Sequence, residues 1–178
     1  MDISLIVKIT GRAWALKILA LMDQGVPGRQ ATLLARSGAG RSAFVQSLQH
    51  LVSLGLMERN PGHGHPLRPE YRLTEIGKSV AAMATAIDKA VTDPPELILL
   101  RRAWTVPVLA VSKQPVHFSE IKNALLPITD RALSKTLQHL QAQHWIERRI
   151  SPDDRPPRPL YQAASSGIQI SEAVAQLL

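Results

Sequence analysis

The feature that most restricts the fold of this 178-residue chain is an internal repeat. Arg12-Ala13-Trp14 matches Arg102-Ala103-Trp104, and later segments match in the same order at an offset of about 90 residues. The further matches pair residues 47–51 with 136–140, 57–59 with 146–148, and 68–71 with 158–161. Two copies are too few for a solenoid, so each copy must bury its own core. The sequence therefore predicts two domains, residues 1–93 and 94–178.

Apolar spacing and turn residues predict the same order of elements in both copies. A first helix with a possible break at Thr10-Gly11 precedes a short helix, a turn, an amphipathic helix, two strands joined by a loop, and a closing helix capped by Thr74. Residues 92–95 contain two prolines and are the predicted linker. Pro107 indicates either a kink or, as we prefer, a new helix that begins shortly before it. The predicted fold is mainly α with small β-hairpins, in two tandem winged helix-turn-helix domains.

The helix predicted near residues 130–141 has the pattern of a helix that reads DNA. Leu133, Leu137 and Leu140 form one apolar stripe, and Thr129 precedes them as a plausible cap. Side chains off the stripe are donors that suit a groove in nucleic acid, namely Arg131, Ser134, Lys135 and Gln138. A helix near residues 41–54 is its counterpart in the first copy. The alternative interpretation of each is an ordinary surface helix.

The charge of the chain favours an anionic partner. Its formal net charge is +7 and its pI is about 10.2. Residues 1–93 carry 11 basic and 7 acidic side chains, and residues 94–178 carry 10 and 7. Both copies therefore share the excess, which predicts double-stranded DNA as the partner.

Composition also argues against several classes of protein. The absence of cysteine excludes disulfides, thiolate nucleophiles and cysteine-based zinc sites, and it fits a reducing cytoplasm. Because no apolar run approaches 18 residues, we expect no signal peptide and no membrane span. The predicted location is cytoplasmic and nucleoid-associated.

Neither an enzyme nor a cofactor is expected. His63 and His65 have a spacing that could bind a metal, but no nearby cysteine or carboxylate pair completes a site, so a loop at a wing tip is the better interpretation. Residues 117–120 (His-Phe-Ser-Glu) show no arrangement of base and nucleophile. Trp14 and Trp104 could line a ligand pocket, but their matched positions favour anchors of the core.

Taken in order, several motifs resemble one known family. They are a Trp followed by Ile-Leu or Val-Leu, residues 118–121 (Phe-Ser-Glu-Ile), a Leu-x-x-x-Leu-x-x-Leu helix, residues 146–148 (Ile-Glu-Arg), and residues 156–161. Residues 68–77 match the second wing strand and the start of the last helix of that family. The series resembles the HxlR-type branch of the MarR-like winged-helix transcription regulators.

This resemblance implies a DNA-binding transcriptional regulator without catalytic activity. Family members usually have one such domain and act as homodimers. The candidate DNA-contacting residues lie on the two amphipathic helices and in the wings, and they are Arg41, Ser42, Gln46, Gln49, Arg68, Arg131, Ser134, Lys135, Gln138, Arg155 and Arg158. The other function class left open is a scaffold, because tandem winged helices also mediate protein–protein contacts in chromosome or transcription complexes.

The first copy departs from the family pattern at its DNA-reading helix. Gly40 stands in place of Thr129, and Ser42, Val45 and Gln46 stand in place of Arg131, Ser134 and Lys135. The first copy is therefore less well equipped to hold phosphates or read bases. Two assemblies stay open. One is a pseudo-dimer within one chain, and the other is a homodimer through the N-terminal helix and the closing helix of the first copy, where Ala81, Ala82, Ala84 and Ala86 would allow close approach.

Overall fold

The structure is a computed structural model, which describes residues 2–60, 69–151 and 155–178. The first copy of the repeat folds, in order, as α1 (Ile3–Thr10), α2 (Ala15–Asp23), α3 (Gln30–Ser37), α4 (Arg41–Ser53), β1 (Met57–Arg59), β2 (Tyr71–Leu73) and α5 (Glu75–Ala90). The second copy folds as α6 (Pro94–Leu100), α7 (Thr105–Val111), β3 (Val116–His117), α8 (Phe118–Ala124), α9 (Asp130–Ala142), β4 (Ile146–Ile150), β5 (Pro159–Ala163) and α10 (Ser166–Ala175).

The opening helix of each copy is broken at the same place. In the first copy α1 ends at Thr10, whose hydroxyl donates to the carbonyl oxygen of Ile6 at 2.9 Å, and α2 begins four residues after Gly11. In the second copy α7 begins at Thr105, so Pro107 lies in its first turn, where a missing N–H leaves no helical hydrogen bond unmade. Both predicted breaks are confirmed.

The predicted linker over residues 92–95 is too long. Pro94 and Pro95 are the first two residues of α6, and Asp93 precedes them in an extended conformation. Proline cannot continue α5, but its fixed φ and missing N–H suit the first turn of a new helix. The link between α5 and α6 is therefore only residues 91–93.

Both copies carry an antiparallel wing, and the second wing has a strand that we did not predict. β1 pairs with β2, and β4 pairs with β5 from Ile146 opposite Ala163 to Ile150 opposite Pro159. The unpredicted strand β3 pairs with the other edge of β5. Two residues are too few to show an alternating pattern, which is why periodicity missed β3. The first copy has a single bridge at this place, Arg29 opposite Glu70.

The two copies share a continuous hydrophobic core. Within the first copy α5 packs on α2, and within the second α10 packs on α7. Between the copies α5 packs on α10, and α1 packs on α7. The closing helices of both copies therefore form the centre of the molecule. Among the described residues, no helix combines the length and apolarity that crossing a membrane requires.

The prediction that Trp14 and Trp104 anchor the core is wrong in its degree of burial. Both rings are half-buried and pack on the edge of the core. The fully buried indole is that of Trp145, which directly precedes β4. Its counterpart in the first copy is Leu56, so no pairing of tryptophans in the sequence pointed to it.

Two matched glycines allow the closing helices to approach the wings. A Cβ atom on Gly77 would overlap the carbonyl oxygen of Leu56, and one on Gly167 would overlap that of Trp145. Because backbone atoms cannot move aside cheaply, only glycine fits at these two positions. The match between Gly77 and Gly167 in the repeat therefore has a steric cause.

Candidate nucleic-acid interface

In the second copy α8 and α9 form the helix-turn-helix. The turn is anchored by Leu125 and Ile128, which are buried. Thr129 begins α9 as predicted, since its hydroxyl oxygen accepts the backbone N–H of Ala132 at 3.2 Å. This bond satisfies one of the N–H groups that a helix start leaves free, so the first turn of α9 is held in place.

One side of α9 is buried and the opposite side faces solvent. Leu133, Leu137 and Leu140 are at most 2% exposed, as their spacing predicts. Thr136 lies beside them and donates its hydroxyl to the carbonyl oxygen of Ala132 at 2.8 Å. The four predicted DNA-contacting side chains are all exposed on the other side, namely Arg131, Ser134, Lys135 and Gln138. The solvent side of α9 thus presents two cations and two polar side chains together.

An ion pair connects α8 to the start of α9. Lys122 Nζ lies 2.7 Å from the Asp130 carboxylate; the Asp130 side chain is exposed and that of Lys122 is half-buried. Such a pair stabilises the fold by about 0–1 kcal/mol. It also offsets the one negative charge in the first turn of α9, so Arg131 and Lys135 set the sign of the field on its exposed side.

Helix α4 repeats this arrangement with different chemistry. Phe44, Leu48 and Leu51 are buried, and Ser47 takes the place of Thr136, with its hydroxyl donating to the carbonyl oxygen of Ala43 at 2.8 Å. Gly40 precedes α4 and makes no side-chain cap. The predicted residues of this helix are all exposed, namely Arg41, Ser42, Gln46 and Gln49. Each of these two helices packs within its own copy, α4 on α2 and β1, and α9 on α7 and β4.

The wing of the second copy carries two of the predicted DNA-contacting residues among those that the structure describes. Arg155 and Arg158 are exposed, and the carbonyl oxygen of Arg158 accepts the N–H of Ser151 at 2.9 Å, one step beyond the β4–β5 ladder. The predicted wing residue Arg68 lies outside the described residues, as do His63 and His65. The structure thus brings together α9 and the wing formed by β4 and β5, and it does not test the first wing.

Two further basic side chains lie on the second wing, outside the candidate DNA-contacting residues. Arg148 and Arg149 both lie exposed on β4. Arg149 donates to the Glu147 carboxylate, with Nη2 at 2.6 Å, so part of its charge is offset. Alternation along β4 puts Glu147 and Arg149 on one side and Arg148 on the same side as Ile146, so the sequence pattern indicates exposure for Arg149 but not for Arg148.

Positive charge also surrounds the end of α9. Burial lowers the pKa of His139 below its ordinary value, and the positive charges of Arg102 and Lys135 lower it further. Arg102 therefore lies near the last turn of α9. Local sequence patterns could not show this proximity, because Arg102 comes from the turn between α6 and α7.

The polar residues at the start of α8 serve the fold. The Glu120 carboxylate accepts the backbone N–H of His117 at 2.8 Å, and His117 Nδ1 lies 3.0 Å from the carbonyl oxygen of Pro159. These contacts cap α8 and hold it beside β5. In the part of the chain that the structure describes, no group of three His, Cys, Asp or Glu side chains could hold a metal ion.

The cavity beside Trp14 is too small to support the alternative role of this residue as part of a ligand pocket. The guanidinium carbon of Arg101 lies 4.0 Å from the centroid of the Trp14 ring, and Lys17 pairs with Asp88 at 2.9 Å beside it. The cavity that these residues line measures about 60 Å³. Ligand pockets are commonly about 300–1,000 Å³, so this one is too small for an organic effector of ordinary size.

Comparison with known proteins agrees with this arrangement. A family model described as HxlR-like helix-turn-helix matches residues 9–94 and again residues 99–178. HTH-type transcriptional regulators from Mycobacterium tuberculosis (strain CDC 1551 / Oshkosh) and Mycobacterium bovis (strain ATCC BAA-935 / AF2122/97) are 41% and 40% identical over 76 residues, which cover 42% of this chain and 47% of each relative. The chain thus spans about half the length of the curated relatives it matches.

A solved structure of a MarR-family transcriptional regulator from Porphyromonas gingivalis W83 is also similar, with 18% identity and a TM-score of 0.42 over 49% of this chain and 90% of that one. A score this low supports no conclusion about the fold. The matched family model describes helix-turn-helix proteins and not enzymes, in agreement with the prediction that the chain is not an enzyme. Because that model covers both copies of the repeat, the chain belongs to the HxlR-like helix-turn-helix family, in which it forms two tandem winged-helix domains.

Proposed function

We propose that this chain is a transcriptional regulator that binds double-stranded DNA through α9, with α4 as a second DNA-reading helix. The observation that carries the proposal is the exposed side of α9, where Arg131, Ser134, Lys135 and Gln138 lie opposite the buried leucine stripe. Arg and Lys donate to guanine edges and to phosphates, and Gln matches the edge of adenine. A cytoplasmic, nucleoid-associated location follows from this proposal.

The wing of the second copy supports the same interface. Arg148, Arg155 and Arg158 are exposed on a wing that continues directly from α9 through β4. Side chains at this position can contact phosphates or the minor groove, which orients α9 in the major groove. Arg68 is the candidate for the same role in the first copy.

We further propose that one chain acts as a pseudo-dimer of domains 1–93 and 94–178. The packing of α5 on α10 and of α1 on α7 supports this assembly, because it joins within one polypeptide the two proposed DNA-reading heads, namely the domain that carries α4 and the domain that carries α9. Of the four alanines that could receive a partner helix, Ala81 and Ala84 are already buried inside the chain, which leaves only Ala82 and Ala86 exposed. This disfavours a homodimer through α5.

Binding to a random-sequence duplex at several salt concentrations tests the proposal. When basic side chains neutralise DNA phosphates, they release the counterions bound there. The affinity of the chain for the duplex should therefore fall steeply as the salt concentration rises. The double variant Arg131→Ala/Lys135→Ala should bind at least tenfold more weakly, with its melting temperature nearly unchanged because neither side chain is buried. Lys78→Ala/Lys89→Ala removes the same charge from α5, away from α9, and is the matched control.

Two results would contradict the proposal. Equal losses in both double variants would mean that only net charge matters and that α9 makes no particular contact. No salt-dependent binding to any duplex would leave the tandem winged-helix scaffold, which needs no phosphate contacts, as the remaining function.

A further inference from the structure

We propose that this protein recognises a non-palindromic duplex, in which α9 reads a half-site containing G·C pairs and sets the affinity, while α4 reads a different half-site richer in A·T. This inference rests on the proposed function and adds the class of DNA that the two heads select.

The two helices can be compared position by position because their buried sides coincide. Phe44, Leu48 and Leu51 occupy the places of Leu133, Leu137 and Leu140. Ser47 and Thr136 make the same hydroxyl bond to the carbonyl four residues earlier, each at 2.8 Å. Both helices also end before a residue of positive φ, Gly55 at 69° and His144 at 57°. Equal burial at equal positions means that equal positions face outward.

The outward positions differ in charge and in hydrogen-bonding capacity. Ser42, Val45 and Gln46 stand where α9 has Arg131, Ser134 and Lys135, and Arg41 stands where α9 has Asp130. The two cations of α9 are thereby replaced by neutral side chains, and one polar position becomes a half-buried valine. Of the four candidate DNA-contacting positions of α9, only Gln138 has the same residue in α4, namely Gln49. The two heads therefore present different hydrogen-bonding groups to DNA.

Base-edge chemistry assigns a half-site to each helix. Arg and Lys pair with the O6 and N7 acceptors of guanine, which favours G·C pairs under Arg131 and Lys135. Glutamine pairs with adenine, and an apolar side chain contacts the methyl group of thymine, which favours A·T pairs under Val45, Gln46 and Gln49. Arg41 is the first residue of α4 and adds one contact to guanine or phosphate at the edge of that half-site, which is therefore richer in A·T but not purely A·T.

The first turn of α9 is held more firmly than that of α4. This difference should give α9 the larger share of the affinity for DNA. Thr129 caps α9 through its side chain, and Lys122 pairs with Asp130 across the turn. Gly40 provides no side-chain cap for α4. A helix whose first turn is held in place loses less conformational freedom on binding, so its contacts contribute more.

Packing inside the chain keeps the two unlike heads together. The α5–α10 and α1–α7 contacts join the copies, and Arg101 of the second copy stacks on Trp14 of the first at 4.0 Å. A homodimer of one-domain chains pairs two identical heads and reads a palindrome. One chain with two different heads reads two different half-sites.

Selection of bound sequences from a random duplex library by the native full chain tests the inference. The expected result is an asymmetric motif with one chain per site in sedimentation, its G·C half more strongly constrained than its A·T half. A palindromic motif from a chain that binds DNA would overturn the inference and leave the proposed function intact. Failure to bind any duplex would overturn both.

Exchanging the heads gives a sharper test. The triple variant Ser42→Arg/Val45→Ser/Gln46→Lys copies the outward side chains of α9 onto α4 without touching a fully buried residue. Its preferred site should become an inverted repeat of the G·C half-site, bound at least tenfold more tightly than the native asymmetric site. The reverse variant Arg131→Ser/Ser134→Val/Lys135→Gln should lose at least tenfold in affinity for the native site. If both variants keep the native melting temperature and select the native motif, α4 and α9 do not specify the half-sites.

Discussion

At the scale of single residues, Trp145 and Trp104 show two roles of the indole ring in one domain. Trp145 is fully buried, whereas Trp104 is half-buried at the start of α7. Trp145→Ala should lower the free energy of unfolding by about 3–5 kcal/mol, because it removes the largest buried side chain and leaves a cavity. Trp104→Ala should cost less than half as much. Chemical denaturation of both variants measures the difference, and equal losses would show that the half-buried ring contributes as much as the buried one.

His139 makes stability depend on pH in a direction that its surroundings determine. Burial and the nearby Arg102 and Lys135 lower its pKa in the folded chain, so the unfolded chain takes up the proton more readily. The associated stability is fully present above the ordinary pKa of about 6.5 and is lost as the pH falls below it. The melting temperature should therefore drop between pH 7.5 and pH 5.5, and by less in His139→Gln. An equal drop in both proteins would show that other groups cause the loss.

At the scale of elements, the first turn of α9 depends on one hydroxyl group. Thr129→Ala should destabilise the second domain by about 0.5–2 kcal/mol, because the N–H of Ala132 loses its acceptor. Thr129→Ser keeps the hydroxyl and should restore most of that loss, as thermal or chemical unfolding can measure. If the serine variant is as unstable as the alanine variant, the methyl group of Thr129 stabilises the domain and its hydroxyl group does not.

Most elements could be predicted from the sequence because their signals are local. The stripe of Leu133, Leu137 and Leu140 and the cap at Thr129 lie within a few residues of each other, and the structure has both. The strand β3 and the approach of Arg102 to α9 depend on residues that are distant in sequence. A pattern within one segment cannot show such contacts, so they had to come from the structure.

At the scale of the whole molecule, the two copies should unfold together. Their shared core and the packing of α5 on α10 mean that neither copy can lose its structure without exposing apolar surface of the other. Calorimetry should show one transition with equal calorimetric and van't Hoff enthalpies. Two separated transitions would instead mean that the copies are independent domains joined by a short link.

Under the proposed asymmetric recognition, the separate position of α4 and α9 in one chain has a consequence for how DNA preference can change over generations. In a regulator made of two identical subunits, every substitution in the reading helix appears twice, so both half-sites of every target must change at once. Here a substitution at Gln46 alters one head and leaves Lys135 in the other untouched. Targets can then be gained or lost one half-site at a time, while the opposite head keeps the protein on its existing sites.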